Sequence, residues 1–125
     1  MKVAELMQTS VRTISADSTI ADAIADLVDA KISALPVVDR FGRAVGVLST
    51  REILKAESAN VDPATRVIEI MAAWPDTVEP DLDVRQAAQE MLYLNVQRLF
   101  VEFDGALVGV ISQTDIVGAV ATAKV

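Results

Sequence analysis

The chain has 125 residues, of which 52 % are hydrophobic and 4 % aromatic, and its formal net charge is −7. This length allows an aliphatic core that needs neither disulfides nor a metal. Cysteine and histidine are both absent, which excludes thiol catalysis, histidine-based catalysis and ordinary zinc sites. Because the 18 acidic residues outnumber the 11 basic ones, we expect no binding of nucleic acid, which uses clustered Lys and Arg.

Membrane and export signals are not recognisable in the sequence. The amino terminus lacks the apolar stretch of a signal peptide, and no run approaches the ~18 apolar residues of a membrane span. We therefore expect a cytoplasmic protein that makes no contact with membranes.

The first half predicts helix, strand, helix, strand, strand and helix, in that order. Residues 11–14 form a short apolar strand, and residues 20–28 have the apolar spacing of an amphipathic helix. Residues 35–38 and 44–48 are β-branched runs, and the turn residues between them indicate a hairpin. The closing helix is predicted over residues 50–58.

The second half repeats this pattern. Helical spacing returns between Val84 and Leu92, and strands over 99–103 and 106–111 flank a turn at Asp104 and Gly105. The last predicted helix, residues 116–125, is apolar on nearly every side. Such a helix is usually buried, so we expect a second subunit to cover it. The alternative is that it packs on its own domain.

The two halves are copies of one sequence. Residues 3–7 return 64 positions later as residues 67–71, and residues 45–49 return 63 positions later as residues 108–112. The duplication predicts two similar units, a first repeat over 1–60 and a second over 61–125. The cleft between such units is a natural place for a ligand.

The most specific local motif is the Gly-x-x-Ser-x-x-Asp stretch at residues 109–115, where a strand ends and a helix begins. Free amides at a helix start favour a phosphate, and the carboxylate of Asp115 suits a pair of vicinal hydroxyls. The alternative is a capping box, in which Ser112 and Asp115 only satisfy backbone amides of the helix. The counterpart in the first half, Ser49 and Glu52, has the sequence of a capping box.

The tandem motifs resemble a pair of CBS domains, the regulatory repeats named after cystathionine β-synthase and paired as a Bateman module. The matching residues are 3–7, 13–15, 33–39 and 109–115. The resemblance covers almost the whole chain and implies a stand-alone module without a catalytic domain. It implies an α/β fold of two pseudo-symmetric β-α-β-β-α repeats packed through their sheets.

The resemblance also implies a ligand. Members of this family typically bind AMP, ADP, ATP or S-adenosylmethionine in the cleft between the repeats; no cofactor is required, although Mg²⁺ could accompany ATP. Carried over to this sequence, Asp115 would hold the ribose hydroxyls, and Ser112 and Thr114 would face ribose or phosphate. The candidate phosphate partners are Arg98 first, then Arg12 and Lys31. The alternative for Arg98 is a solvated surface charge.

The same resemblance assigns the other side of the cleft to the first repeat. The backbone of Ile14 and Ala34 would read the adenine edge, beside Thr13 at the strand entry. Ser33 and Ala34 are small enough to leave room for a ring, against which Ile32 could pack. The alternative for Ser33 and Ala34 is tight packing ahead of the strand.

The pseudo-symmetric cleft departs from the family pattern. Glu52 replaces the diol-binding Asp, and Gln97 and Arg98 replace the Ser-Ala pair. We therefore predict one competent site in each chain.

Three functions compete. The leading hypothesis is a regulatory module that senses an adenosine nucleotide, forms a homodimer and signals to an unidentified protein partner. The second is a ligand-free structural or oligomerising adaptor. The third, an enzyme, would be a metal-assisted hydrolase built on acidic residues around Pro80, namely Asp76, Glu79, Asp81 and Asp83. Their spacing matches no Ca²⁺ loop. We expect a non-enzyme.

Overall fold

The computed structural model describes residues 1–122, which contain five α-helices and six strands. The helices are α1 (Val3–Leu6), α2 (Ile20–Ala30), α3 (Thr50–Ser58), α4 (Val84–Leu94) and α5 (Gln113–Ala121). The strands are β1 (Ile14–Ser15), β2 (Ala34–Val38), β3 (Ala44–Ser49), β4 (Ala72–Ala73), β5 (Arg98–Phe103) and β6 (Ala106–Ser112). A 3₁₀ helix at Val67–Glu69 precedes β4. The predicted α/β class is confirmed.

The chain divides into two compact units. We call Arg12–Pro75 the central unit, and Met1–Val11 together with Asp76–Val125 the split unit. The amino-terminal segment of the first repeat thus packs with the second repeat. The predicted repeat boundary at residue 60 describes the duplication in the sequence, and it stays a prediction.

The central unit contains a four-stranded sheet in the order β1-β2-β3-β4. β1 pairs with β2 in parallel, and the other pairs are antiparallel. Ile14, Leu35, Val37 and Leu48 enter the core of this unit, where Val67 from the second repeat joins them. Burial of these aliphatic side chains holds the helices on the sheet.

The split unit repeats this arrangement with fewer regular hydrogen bonds. β5 and β6 form an antiparallel pair, and single bridges add Val78 beside Val101 and Gln8 beside Val110. These bridges occupy the places that β1 and β4 hold in the central unit. Val3, fully buried, joins the core of the split unit.

Side-chain caps begin α2, α3, α4 and α5. Thr19 caps α2 with a reciprocal hydrogen-bond pair to Asp22. α2 and α4 both end at a residue in the left-handed conformation, Lys31 and Asn95. The same helix ending at corresponding positions shows that the duplication preserved local backbone geometry.

Two predicted element boundaries were wrong. The first strand begins at Ile14 rather than at residue 11, because Ile14 is the residue that enters the core and pairs with Val37. The last helix begins at Gln113, because Ser112 caps it. Residues 123–125 of the predicted helix lie outside the described residues. Among residues 1–122, no helix is long and apolar enough to cross a membrane.

Candidate functional site

Ser112 and Asp115 form the capping box at the start of α5. The Asp115 amide donates to Ser112 Oγ at 3.1 Å, and the Ser112 amide donates to Asp115 Oδ2 at 2.9 Å. The interpretation of this motif as a capping box is therefore confirmed. It uses only one of the two carboxylate oxygens of Asp115, and both residues remain half-exposed.

The other oxygen of Asp115 faces the amino-terminal segment. Gln8 Nε2 lies 3.4 Å from Asp115 Oδ1, and both side chains belong to the split unit. Backbone bonds of 2.8 and 3.0 Å between Gln8 and Val110 fix this segment on β6. Gln8 was not predicted from the sequence. The signal in the sequence was that a polar residue, Gln8, follows the repeated motif at the position where the second copy has Ala72.

Arg98 stands next to the same helix start. It begins β5 and is the register partner of Ser112 on β6. Side chains directly opposite each other on an antiparallel pair point to the same face. Burial lowers the pKa of the Arg98 guanidinium from its ordinary value, yet an arginine stays charged at neutral pH. Arg98, Ser112 and Asp115 therefore lie in one region of the split unit.

Thr114 is exposed in the first turn of α5. This position is within the stretch where helix amides have no intrahelical acceptor. The Gln113 and Asp115 amides at this helix start are already bonded, to the Gln97 carbonyl and to Ser112 Oγ. The Thr114 hydroxyl, the Arg98 guanidinium and the Asp115 carboxylate together suit a ligand that carries both phosphate and hydroxyl groups.

The remaining predicted residues belong to the central unit. Ile14 is buried on β1, which is the edge strand of its sheet. Ala34 begins β2 opposite Ser49, and the Ser33 carbonyl accepts the Thr50 amide at 3.1 Å. The structure therefore places Ser33 and Ala34 beside the start of α3. The two other candidates in this unit differ in exposure: Ile32 packs on the core, and Thr13 is exposed.

The corresponding helix start in the central unit, that of α3, also uses one carboxylate oxygen for its cap. Glu52 Oε1 accepts the Ser49 amide at 2.7 Å and also the Ser49 hydroxyl at 2.6 Å. Position 72, which corresponds to Gln8, is an alanine on β4. Near Glu52, β4 therefore offers no polar side chain at that position.

The strand-entry threonines also differ between the repeats. Thr77 donates a hydrogen bond of 2.9 Å to Glu102 Oε1. In the first repeat, the position that corresponds to Glu102 is Val38, which has no acceptor in its side chain. The hydroxyl of Thr13 is thus not held in the way that the hydroxyl of Thr77 is.

Three of the acidic residues near Pro80 line a cavity of about 310 Å³ in the split unit, together with Glu90; they are Asp76, Glu79 and Asp81. In the central unit, the positions of Asp76 and Glu90 are taken by Arg12 and Asp26, which form an ion pair at 3.4 Å. Arg12 is therefore engaged by a carboxylate of its own unit. Within residues 1–122, no group of three or more acidic side chains is arranged to hold a metal ion.

Residues 3–59 and 67–122 each match the family model of the CBS domain. The chain belongs to the CBS domain family. The resemblance inferred from the sequence motifs is thereby confirmed, and the two matches make the chain a CBS pair. CBS domains are generally regulatory rather than catalytic, and some are fused to enzymes.

Solved CBS pairs have the same fold. The CBS domain pair of protein MJ0100, in complex with 5′-methylthioadenosine and S-adenosyl-L-methionine, is 26 % identical with a TM-score of 0.86, covering 99 % of this chain and 98 % of that one. CBSX2 in complex with AMP is 25 % identical with a TM-score of 0.87, with the same coverage of 99 % and 98 %. Two CBS pairs of this fold thus bind adenosine compounds.

Curated relatives vary in length. The CBS domain-containing protein YhcV of Bacillus subtilis is 30 % identical over 91 % of this chain and 81 % of its own length. Two further relatives are enzymes much longer than this chain, which spans 14 % of one and 23 % of the other. CBS pairs thus occur in proteins of very different size.

Proposed function

We propose that this CBS pair is a regulatory module that binds an adenosine-containing nucleotide and passes a conformational change to a protein partner. The observation that carries the proposal is the arrangement of Asp115. At the start of α5, one of its carboxylate oxygens serves the capping box, and the other faces the exposed side chain of Gln8. The complexes of CBS pairs with AMP and with S-adenosyl-L-methionine support the ligand class.

The chemistry of the split unit matches the two polar ends of such a ligand. Oδ1 of Asp115 can accept hydrogen bonds from ribose hydroxyls, because a carboxylate oxygen has more than one lone pair. The hydroxyl of Thr114 and the guanidinium of Arg98 favour a phosphate, because both can donate hydrogen bonds to its oxygens.

The adenine is assigned to residues of the central unit. We propose that the backbone of Ile14 and Ala34 contacts the base edge, with Thr13, Ile32 and Ser33 around it. The edge position of β1 supports this assignment, since an edge strand has backbone groups that its sheet does not pair.

A single site in each chain is part of the proposal. At the start of α3, Glu52 accepts both the amide and the hydroxyl of Ser49. Its side chain, longer than that of Asp115, leaves less room for a nucleoside there.

A thermal-shift panel tests the proposal. It covers AMP, ADP, ATP, S-adenosylmethionine, NAD⁺ and GTP, each with and without Mg²⁺. A ligand at 100 times its Kd adds about 2.7 kcal/mol to the free energy of unfolding, which raises Tm by several degrees. We expect a shift for adenosine compounds that is lost in Asp115→Ala.

Glu52→Ala is the matched control, because it removes the same part of the other capping box. Each variant should lower stability by about 1 kcal/mol, but only Asp115→Ala should lose the ligand shift. A folded wild-type protein without any shift would favour the ligand-free adaptor. A shift that survives Asp115→Ala would disprove the site assignment.

We also propose that the module is a homodimer, as CBS pairs often are. In the split unit, α4 and α5 expose Leu92 (78 %) and Val117 (66 %) beside an apolar groove of about 230 Å³. In the central unit, α2 and α3 expose Val28 (69 %) and Leu54 (69 %) at the corresponding positions. Apolar side chains exposed at corresponding helix positions favour an interface there.

Light scattering of Val28→Glu/Leu92→Glu tests the dimer. We expect the wild-type mass to be twice that of the chain and the variant to be monomeric. Phe41→Glu, at an exposed hairpin, should remain dimeric. A monomeric wild-type protein, or a dimer that tolerates both glutamates, would contradict the proposal.

A further inference from the structure

Gln8 is the residue of the amino-terminal segment that meets the proposed site. Its Nε2 lies 3.4 Å from Asp115 Oδ1, which is longer than the ~2.9 Å of a typical N–H···O bond. The contact is therefore weak, and the exposed side chain can rotate away at little cost.

The segment that carries Gln8 is nevertheless fixed in place. Its amide donates to the Val110 carbonyl at 2.8 Å and its carbonyl accepts the Val110 amide at 3.0 Å. Gly109 permits this close approach, because a Cβ there would lie 2.6 Å from Met7 Sδ and 3.0 Å from the Gln8 carbonyl oxygen. These backbone contacts thus hold the side-chain amide of Gln8 within reach of Asp115.

A hydroxyl oxygen that bonds both Gln8 Nε2 and Asp115 Oδ1 at about 2.8 Å holds these two atoms about 4.5 Å apart. The exposed Gln8 side chain would turn outward by about 1 Å to admit such a group. A hydroxyl can accept one hydrogen bond while it donates another. It would accept from Gln8 Nε2 and donate to Asp115 Oδ1, which replaces one long hydrogen bond with two of ordinary length.

We propose that Gln8 is a second recognition residue for the vicinal hydroxyls of the ligand, acting together with Asp115. This inference rests on the proposed function and adds a residue to its site. It also gives the site a donor from outside the Gly-x-x-Ser-x-x-Asp motif. The corresponding position, Ala72, offers no such donor to Glu52.

The test measures Kd by calorimetry for AMP, 2′-deoxy-AMP and 3′-deoxy-AMP, with the wild-type chain and with Gln8→Ala. We expect Gln8→Ala to weaken AMP binding about three- to tenfold, the range of one hydrogen bond. At least one deoxy analogue should bind the wild-type chain more weakly than AMP does, by the same factor. That analogue should bind the wild-type chain and Gln8→Ala with equal affinity. Removing either partner of one contact should then have the effect of removing both.

Gln113→Ala is the control, because Gln113 lies at the same helix start but donates to the Val96 carbonyl at 3.2 Å. It should leave discrimination between AMP and its deoxy analogues unchanged. Unaltered AMP affinity in Gln8→Ala would overturn this inference and leave the proposed function standing. An equal loss for AMP and both analogues would overturn it too, since that result indicates a structural effect. A wild-type chain that binds none of the three probes would overturn this inference, and a blank adenosine panel would then overturn the proposed function as well.

Discussion

The starts of α3 and α5 are two copies of one local structure with different surroundings. Both have a serine cap and a carboxylate three residues later, joined by reciprocal hydrogen bonds. Glu52 also accepts the Ser49 hydroxyl, whereas Asp115 faces Gln8. The comparison teaches that capping and ligand binding are separate demands on the same motif. The cap stabilises the helix start in both copies, and the side chains around it determine whether the carboxylate can also serve a ligand.

Gly46 on β3 and Gly109 on β6 each allow another segment to approach closely. Replacing these glycines should have the largest effect on the comparison. Gly46→Ala would place Cβ against the Met71 side chain and 2.8 Å from the Ala72 carbonyl oxygen. In Gly109→Ala the contacted carbonyl is that of Gln8, at 3.0 Å. Because backbone atoms must move, we expect each variant to lose about 1–3 kcal/mol of stability in urea unfolding, Gly46→Ala the more.

The two glycine variants should differ in ligand binding. Gly109→Ala displaces the segment that presents Gln8, so AMP affinity should fall; Gly46→Ala displaces Ala72, so AMP affinity of the folded protein should persist. Calorimetric titration below the unfolding transition measures both. Equal losses of AMP affinity would show that the two segments are not functionally distinct.

The strand-entry threonines sharpen the comparison with a smaller effect. Thr77→Val removes the donor to Glu102 and should cost about 1 kcal/mol of stability without changing AMP affinity. Thr13→Val changes an exposed residue and should alter stability by less than ~0.5 kcal/mol. It should weaken AMP binding about two- to tenfold. Urea unfolding and AMP titration of both variants make the test. A loss of AMP affinity in Thr77→Val but not in Thr13→Val would place the ligand at Thr77.

The hairpin turns give the smallest expected difference. Asp39 accepts the Arg43 amide at 3.0 Å and the Phe41 amide at 2.9 Å, and these bonds hold its pKa below the ordinary 3.8. The folded state therefore favours the ionised carboxyl. The resulting stabilisation is present above pH 3.8 and is lost as the pH falls through the folded-state pKa.

Asp39→Asn should accordingly flatten the fall of Tm below about pH 4. Asp104→Asn, in the shorter turn of the split unit, is the matched control for loss of a hairpin carboxyl. Tm of all three proteins between about pH 2 and pH 6 makes the comparison. A wild-type profile that Asp39→Asn leaves unchanged would mean that the two bonds contribute nothing to the pH dependence.

Much of the fold could be predicted because the information is local. The apolar spacing of α2 and α4 and the serine caps of α3 and α5 are properties of neighbouring residues. The boundary of β1 could not be predicted in this way, since the buried contact of Ile14 with distant Val37 decides where pairing begins. Of the site, the motif around Asp115 was accessible from sequence, whereas Gln8 was not, because 107 positions separate the two residues.

The sequence by itself determined the duplication, the α/β class and the family, because repeated short-range patterns survive without knowledge of long-range contacts. Only the tertiary structure decided that the first eleven residues pack with the second repeat. Val3 enters the core of that unit, and Gly109 permits Met7 and Gln8 to approach β6. Burial and close backbone contact between distant segments, which local periodicity does not encode, thus place Gln8 beside Asp115.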